Sequence, residues 1–290
     1  MISLCCFSKN RPMQLHAFLE SLKNAPYITD SVVLFTYDDD RFKSGYQEVM
    51  RKFNKVVFIK EQEGRDWWKE TILTLIGGAK EYFCWATDDS LFYRRHGISE
   101  YKLEWAFKEQ NAVSLNLRVG ANIKWQNHWY AEKTPDIEIL DTLVDDSCGG
   151  ADDVIVWDAE PLGTQNDFGR VWQNDASIML RDAYLERLLI EDHWYKGRGC
   201  RGLDNVAQSG NIFSPRIAAS LHRSVYVNIP VNLVHLLDDG RLYADNFGRF
   251  IKQDIFDLQD KFNKGLRIDW ERIDFSELDC GRKEVVYDYK

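Results

Sequence analysis

Positive charge is scarce in this chain. Its 290 residues carry 37 Lys and Arg against 46 Asp and Glu, a net charge of −9 at pH 7. That balance argues against a nucleic-acid backbone as the main partner, because such affinity rests on clustered basic side chains. Long apolar runs are missing too: no segment approaches the ~20 residues that a membrane span requires. Met1 to Phe7 is too short for the apolar core of a signal peptide and is followed at once by polar residues. None of the six cysteines stands in a Cys-x-x-Cys spacing. They read as reduced thiols, and the expected location is cytoplasmic. No Gly-x-x-x-x-Gly-Lys-Ser/Thr occurs, which removes the P-loop kinases and ATPases. There is no internal repeat and no low-complexity segment.

What is present is a regular alternation. With 44% hydrophobic residues the chain can bury a substantial core, as one large domain or two fused halves. Ile2 to Phe7 reads as a buried strand that stops at Ser8-Lys9-Asn10-Arg11-Pro12. Leu15, Phe18, Leu19 and Leu22 then mark a helix face. Pro12 fits the first helical turn, and Ser8 or Asn10 is a candidate cap. Val32 to Thr36 is a second strand, ending at Asp38-Asp39-Asp40 and followed by a helix with Tyr46, Val49, Met50 and Phe53. Val56 to Ile59 is a third strand, followed by a helix with Trp68, Ile72, Leu75 and Ile76. Tyr82 to Ala86 is a fourth, closing at Thr87-Asp88-Asp89. Strands about 25 residues apart with intervening helices predict βαβ units and a mostly parallel central sheet flanked by helices.

The second half is less regular. Ser99 to Gln110 reads as a surface helix and Ala112 to Leu117 as a strand. Residues 118 to 173 form a long, polar, Trp-rich stretch of the kind that makes lids and binding loops. Trp125 and Trp129 are candidate acceptor-site aromatics. Ala176 to Leu180 reads as a strand, Tyr184 to Ile190 as a helix, Leu203 to Gln208 as a short helix, and Ser224 to Ile229 with Val231 to Leu236 as a late strand pair or one bent strand. Ile251, Ile255, Leu258 and Phe262 at helical spacing predict a C-terminal helical extension. The expected division is a single domain over 1–250, made of a nucleotide-sugar half (1–110) and an acceptor half (111–250), with 251–290 packed on it.

Five acidic runs interrupt the chain: Asp38 to Asp40, Asp88-Asp89, Asp145-Asp146, Asp152-Asp153 and Asp238-Asp239. Most such runs are solvated turns, since Asp satisfies turn backbone with its own side chain. Position separates the functional ones. In a parallel α/β sheet, ligands bind in the crevice beyond the carboxyl ends of the strands. Ser8 to Arg11, Asp38 to Asp40 and Asp88-Asp89 all fall on that edge. Paired carboxylates at a strand end suit Mg²⁺ or Mn²⁺ presented to a diphosphate.

These residues carry a family likeness. The Ser-Lys-Asn-Arg-Pro turn, the second strand ending in Asp residues and the fourth ending in Thr-Asp-Asp resemble the nucleotide-sugar half of a GT-A-fold glycosyltransferase of the family 2-like group. Asn174-Asp175-Ala176-Ser177-Ile178, Gly202-Leu203-Asp204-Asn205 and Val227 to His235 extend the resemblance over roughly residues 1 to 240.

The resemblance implies a metal-dependent transfer of a sugar from a nucleoside-diphosphate sugar to a hydroxyl acceptor, such as a glycan. Ser8, Asn10 and Arg11 would line the nucleotide site, with Asp38 or Asp39 on the base or ribose and Asp88 near the ribose. Asp89 would ligate Mn²⁺ or Mg²⁺, with His235 a second ligand or an edge histidine. Arg11, Arg65 or Lys69 would help neutralise the diphosphate leaving group. Asp204 is the candidate general base, or an acid that only complements a helix N-terminus. Asp175 competes with it. Thr87 stands where the family motif often has an acid, which removes one carboxylate. Two alternatives stay open: a non-catalytic carbohydrate-binding domain with the same fold, and a sugar-phosphate nucleotidyltransferase. The second is disfavoured because the first loop contains no glycine.

Overall fold

The computed structural model describes residues 1–62, 65–123, 125–126, 132–133, 136–146, 150–162, 168, 177–190, 217–228, 249–250, 255–273, 283–284 and 288–290. In its first third, β1 (Ile2–Lys9), β2 (Ile28–Thr36), β3 (Val57–Lys60) and β4 (Tyr82–Thr87) alternate with α1 (Pro12–Ser21), α2 (Lys43–Lys52) and α3 (Arg65–Gly77). These strands pair in the order β3-β2-β1-β4, all parallel. The chain continues through β5 (Ser90–Phe92), α4 (Glu100–Glu104), β6 (Ser114–Asn116), β7 (Trp125–Gln126), β8 (Glu132–Lys133), β9 (Ile139–Leu143) and β10 (Val154–Asp158). Then come β11 (Ser177–Leu180), α5 (Arg181–Ile190), β12 (Ile217–Leu221) and β13 (Tyr226–Asn228).

The main sheet extends past β4 in the order β11-β6-β12-β10-β9, nine strands among the described residues. β11 runs antiparallel to both of its neighbours, β6 and β12 are parallel, and β10 runs antiparallel to β12 and β9. The fold is therefore the mixed α/β fold expected from the sequence, with a parallel core at β3 to β4.

The central strands β1 and β4 are apolar because both faces of the sheet are covered there. On one face, α3 packs with α5, and Phe7, Phe83 and Trp85 meet Trp68 and Tyr184 at ring separations of 5.1–6.3 Å. On the other, α1 packs with α2, and the C-terminal helix Ile255–Asn263 lies against both. There His16 meets the ring edges of Phe53 and Phe262, and Phe42 stacks on Phe256 at 5.5 Å.

One glycine sets how closely α2 approaches. A Cβ on Gly45 would lie 2.6 Å from Cγ of Pro12, so the bare backbone lets α2 seat against the start of α1. Helix-interior glycine ordinarily costs roughly 0.5–1 kcal/mol relative to alanine. Here it brings the next residue, Tyr46, to the end of β1.

The second half departs from the sequence reading in three places. Residues 118–173 are not one irregular stretch, since β9 and β10 add two strands to the main sheet. Val154–Val156 and Trp157 are buried, a run too short to stand out among polar neighbours. The segment at Ser99 to Gln110 is less a surface helix than a packed one. Ser99 caps α4, which passes into a π-helical turn at Trp105–Glu109. Leu103, Trp105, Ala106 and Phe107 are buried, with Phe107 against Tyr82. The sequence reading places no strand at β12, whose residues 217–221 are nonetheless paired with β6 and β10.

The acidic run at Asp152-Asp153 is also no solvated turn. Asp152 is buried and accepts from Arg94 Nη1 at 2.6 Å and the Gly97 amide at 2.7 Å. Arg94 in turn donates to the carbonyls of Ala151 and Ser224. One ion pair thus ties the segment after β5 to the loops flanking β10 and β12.

His96 lies beside this staple and is buried. Its Nδ1 is 3.1 Å from the Arg94 carbonyl, which can only accept, so the proton sits on Nδ1. Nε2 then accepts from the Tyr27 hydroxyl. Both ring nitrogens are satisfied in the neutral form, and burial pushes the His96 pKa down to about 4. Between the ordinary histidine pKa and that value, the unfolded chain binds the proton that the folded chain refuses, so stability falls as pH drops through this window. At 1.36 kcal/mol per pKa unit, His96 contributes a loss of about 3 kcal/mol. Urea unfolding from pH 7 to pH 4 is expected to show His96→Gln less stable at pH 7 but losing about 3 kcal/mol less than the unsubstituted protein on acidification.

Candidate active site

The β1 to α1 connection is built by an asparagine in the left-handed region. Asn10 has φ of 58°, a conformation that asparagine tolerates better than most residues. Its amide donates to the Thr36 carbonyl at 3.2 Å, and its side chain brackets Asp38, accepting from the Asp38 amide at 2.9 Å and donating to Oδ2 at 3.3 Å. Pro12 then opens α1. Arg11 takes the cap position with no side-chain cap bond, so neither Ser8 nor Asn10 caps the helix as expected. Their side chains are engaged elsewhere.

Asp88 and Asp89 form the tight turn between β4 and β5. The Asp88 amide continues the ladder to the Phe7 carbonyl at 3.0 Å, and its carboxylate turns back to β1. Oδ2 accepts from the Ser8 hydroxyl at 2.7 Å and the Lys9 amide at 3.2 Å. With the Ser8 proton on Asp88, the Tyr46 hydroxyl, 2.7 Å away, donates to Ser8 and accepts from the Arg11 amide at 3.3 Å. A directional chain results: Arg11 amide, Tyr46, Ser8, Asp88.

Arg11 closes the cluster. Its Nη1 is 2.6 Å from Oδ2 of Asp89 and 3.2 Å from Oδ1 of Asp88. The three residues are 2–8% exposed. A guanidinium keeps its charge at any accessible pH, and the two acids raise the Arg11 pKa further above its usual value even against burial. Burial pushes the Asp88 carboxyl well up; the adjacent Asp89 charge adds to this, and Arg11 only partly offsets it. Two buried acids therefore share one cation.

Around this buried centre lies an exposed rim. Lys9 Nζ pairs with Asp38 at 2.9 Å, which lowers the Asp38 pKa. Asp39 caps the short helix at Asp40–Phe42 and holds Arg41. Lys60 donates to Tyr37 at 3.1 Å and lies 4.2 Å over its ring, and Tyr37 stacks on Tyr46 at 5.9 Å. Lys69 is half-buried in the first turns of α3, beside Trp68, which packs on Phe7.

The structure thus brings Ser8, Asn10, Arg11, Asp38, Asp39, Asp88 and Asp89 to one sheet edge. The Arg65 side chain, Asp175, Asp204, Trp129 and His235 lie outside the described residues. Tyr46, Tyr37 and Lys60 are additions that the sequence reading missed, and Lys9, within the Ser8 to Arg11 cluster, has no role of its own in that reading. Tyr46 carried the signal of a core helix face, and nothing in its spacing showed that its hydroxyl faces β1. A cavity of about 220 Å³ lies away from this edge, lined by Ser3, Asp30, Thr74 and Gly78 toward the amino ends of β1 and β2.

A divalent cation does not fit the donors that are described. Two of the four oxygens of the Asp88 and Asp89 pair already accept from protein donors, and a third, Oδ1 of Asp88, lies 3.2 Å from the Arg11 guanidinium. An ion on the Asp89 oxygen would face the guanidinium at a few ångströms, where the repulsion is several kcal/mol even at an effective dielectric of about 20. Among the described residues, no group of three or more His, Cys, Asp and Glu side chains is placed to hold a metal. No described helix is long and apolar enough to cross a membrane.

No protein-family model matches the chain. In sequence it is similar to the bifunctional glycosyltransferase pgtA of Dictyostelium discoideum, 33% identical over 135 residues, 43% of this chain and 17% of that protein. The match therefore spans about a sixth of the relative's length. Over that segment it bears out the glycosyltransferase resemblance carried by the motifs. Among solved structures, the similar ones include TarS of S. aureus (TM-score 0.41, 11% identity, 78% of this chain and 36% of that one). A 4-diphosphocytidyl-2C-methyl-D-erythritol synthase from Anaerococcus prevotii has a TM-score of 0.35 at 12% identity, covering 71% and 81%. The mannosyltransferase PcManGT from Pyrobaculum calidifontis has 0.28 at 12%, covering 43% and 40%.

Removing one member of a buried ion cluster strands the others. Arg11→Ala is expected to destabilise the fold by about 3–5 kcal/mol, because two carboxylates stay buried without a cation. Asp88→Asn removes the costliest charge while keeping an acceptor for Ser8 and Lys9, and is expected to cost less than about 1 kcal/mol. The Arg11→Ala/Asp88→Asn double variant is then expected to recover part of the Arg11→Ala loss, which a double-mutant cycle from urea unfolding reads directly.

Proposed function

We propose that this chain transfers a sugar from a nucleoside-diphosphate sugar to a hydroxyl acceptor such as a glycan. The observation that carries the reading is the convergence of Ser8 to Arg11, Asp38-Asp39 and Asp88-Asp89 at the carboxyl edge of a parallel sheet, in a chain related over part of its length to a glycosyltransferase. That edge is where α/β sheets bind their ligands. Its parts suit a nucleotide sugar: a rim of exposed Asp38 with half-buried Asn10 and Tyr37 for base and ribose, a lysine at Lys9 for phosphate, and buried acids for sugar hydroxyls.

In this reading the residues act by binding and orientation. Ser8 and Tyr46 fix the Asp88 carboxylate, and Arg11 fixes Asp89, so both acids are held before the donor arrives. Lys9, Lys69 and Arg65 supply positive charge for the diphosphate as the bond to the sugar breaks. A carboxylate accepts the acceptor's proton, with Asp204 the first candidate and Asp175 the second. The Mn²⁺ or Mg²⁺ that the resemblance implies, with Asp89 and His235 as ligands, enters no step here because Arg11 already holds Asp89. A reducing, cytoplasmic setting is our reading of location; it rests on the six cysteines of the sequence, none of which stands in a Cys-x-x-Cys spacing.

Incubation with a panel of nucleoside-diphosphate sugars, with released nucleoside diphosphate measured, tests the proposal. Release from one donor, reduced by at least about a hundredfold in Asp89→Ala, is the expected outcome. Nucleotide-sugar binding without release under any condition would instead make the chain a binding domain.

A further inference from the structure

We infer that Arg11 is the resident cation of this site and that the site binds its nucleoside diphosphate without a divalent metal. The inference rests on the proposal that this edge takes a nucleotide-sugar donor, and it concerns how the acid pair is made compatible with an anionic ligand.

The geometry is specific. An Asp-Asp turn at a strand end needs a positive partner before a diphosphate can approach, and the expected partner is a metal ion held by water, carboxylate and phosphate. Here one guanidinium nitrogen reaches both acids, at 2.6 and 3.2 Å. The remaining Asp88 oxygen is taken by Ser8 and the Lys9 amide. Arg11 has no easy way out of this position. Its backbone follows the left-handed Asn10, its amide donates to the buried Tyr46 hydroxyl, and its carbonyl accepts from Leu15 in the first turn of α1.

The cation is permanent and not fully spent. Guanidinium does not release its proton in proteins, so the charge beside the acids does not depend on metal supply. Its Nε–H is buried and has no hydrogen-bond partner among the described residues, leaving a donor for a ligand oxygen. Lys9, on the same turn but half-exposed against Asp38, adds an ammonium that can change partners. A fixed guanidinium between the acids and an ammonium that can turn to the phosphates together supply the two positive charges that a divalent ion would bring to this edge.

The test has two arms. In the first, Mn²⁺ alone is titrated into the protein and free Mn²⁺ is counted by electron paramagnetic resonance, so no donor or activity is needed. The unsubstituted protein is expected to retain no more Mn²⁺ than Asp89→Ala, within about twofold. Arg11→Gln is expected to gain a site at least about tenfold tighter, because freed carboxylates suit the ion, and Arg11→Lys, which keeps the charge, to gain none. One Mn²⁺ per unsubstituted chain that disappears in Asp89→Ala would overturn the inference whether or not the Arg11 variants fold.

In the second arm, calorimetry with UDP, GDP and CDP compares chelator with Mn²⁺. Affinity for one of them equal within about twofold in both conditions supports the inference. Binding seen only with Mn²⁺ overturns it. Failure to bind any nucleotide in either condition overturns the donor reading instead, and the Mn²⁺ arm then decides on its own whether Arg11 holds the cation position.

Discussion

The candidate site depends on one charge arrangement: a single buried guanidinium serving two buried carboxylates. Burying an ion is costly, and a buried pair repays that cost only with close geometry and further hydrogen bonds on the remaining lone pairs. This cluster meets both conditions. Arg11 is in direct contact with both acids, and Asp88 has two more donors from the end of β1. The cluster consequently fixes three pieces of chain against one another: the end of β1, the turn after β4, and, through Tyr46, the first half of α2.

That arrangement explains features which look unrelated along the chain. Asn10 adopts a left-handed backbone so that β1 can turn sharply and present Arg11 inward while Lys9 stays out. Gly45 gives up helix propensity so that α2 can close on Pro12 and deliver the Tyr46 hydroxyl. The acidic rim at Asp38 and Asp39 is separate in kind. Those side chains are exposed, paired with Lys9 and Arg41, and contribute little to stability, since exposed ion pairs are typically worth 0–1 kcal/mol. They remain available to exchange their partners for a ligand.

The second half of the sheet shows how similar motifs do different work. Asp152 is an acid in an acidic run, just as Asp88 is, yet its partners are Arg94, a backbone amide and the loops around β10 and β12. It holds loops together beside the carboxyl end of β12. The same residue type in the same local pattern thus has two roles, and only the strand direction and the neighbouring cation distinguish them.

The sequence by itself determined the alternation at the start of the chain, because buried parallel strands read as short apolar runs and the helices between them show one apolar face. It also determined which clusters fall at the carboxyl ends of those strands, since in βαβ units every strand points the same way. It did not disclose β9, β10 or β12, whose runs are brief and whose partners are distant in the chain. Nor did it disclose what holds Asp89. Arg11 and Asp89 are 78 residues apart, and the sequence reading assigned one to phosphate and the other to metal. Their meeting was decided by tertiary structure, through the pairing of β1 with β4, because an ion pair depends on distances of a few ångströms that no local pattern encodes.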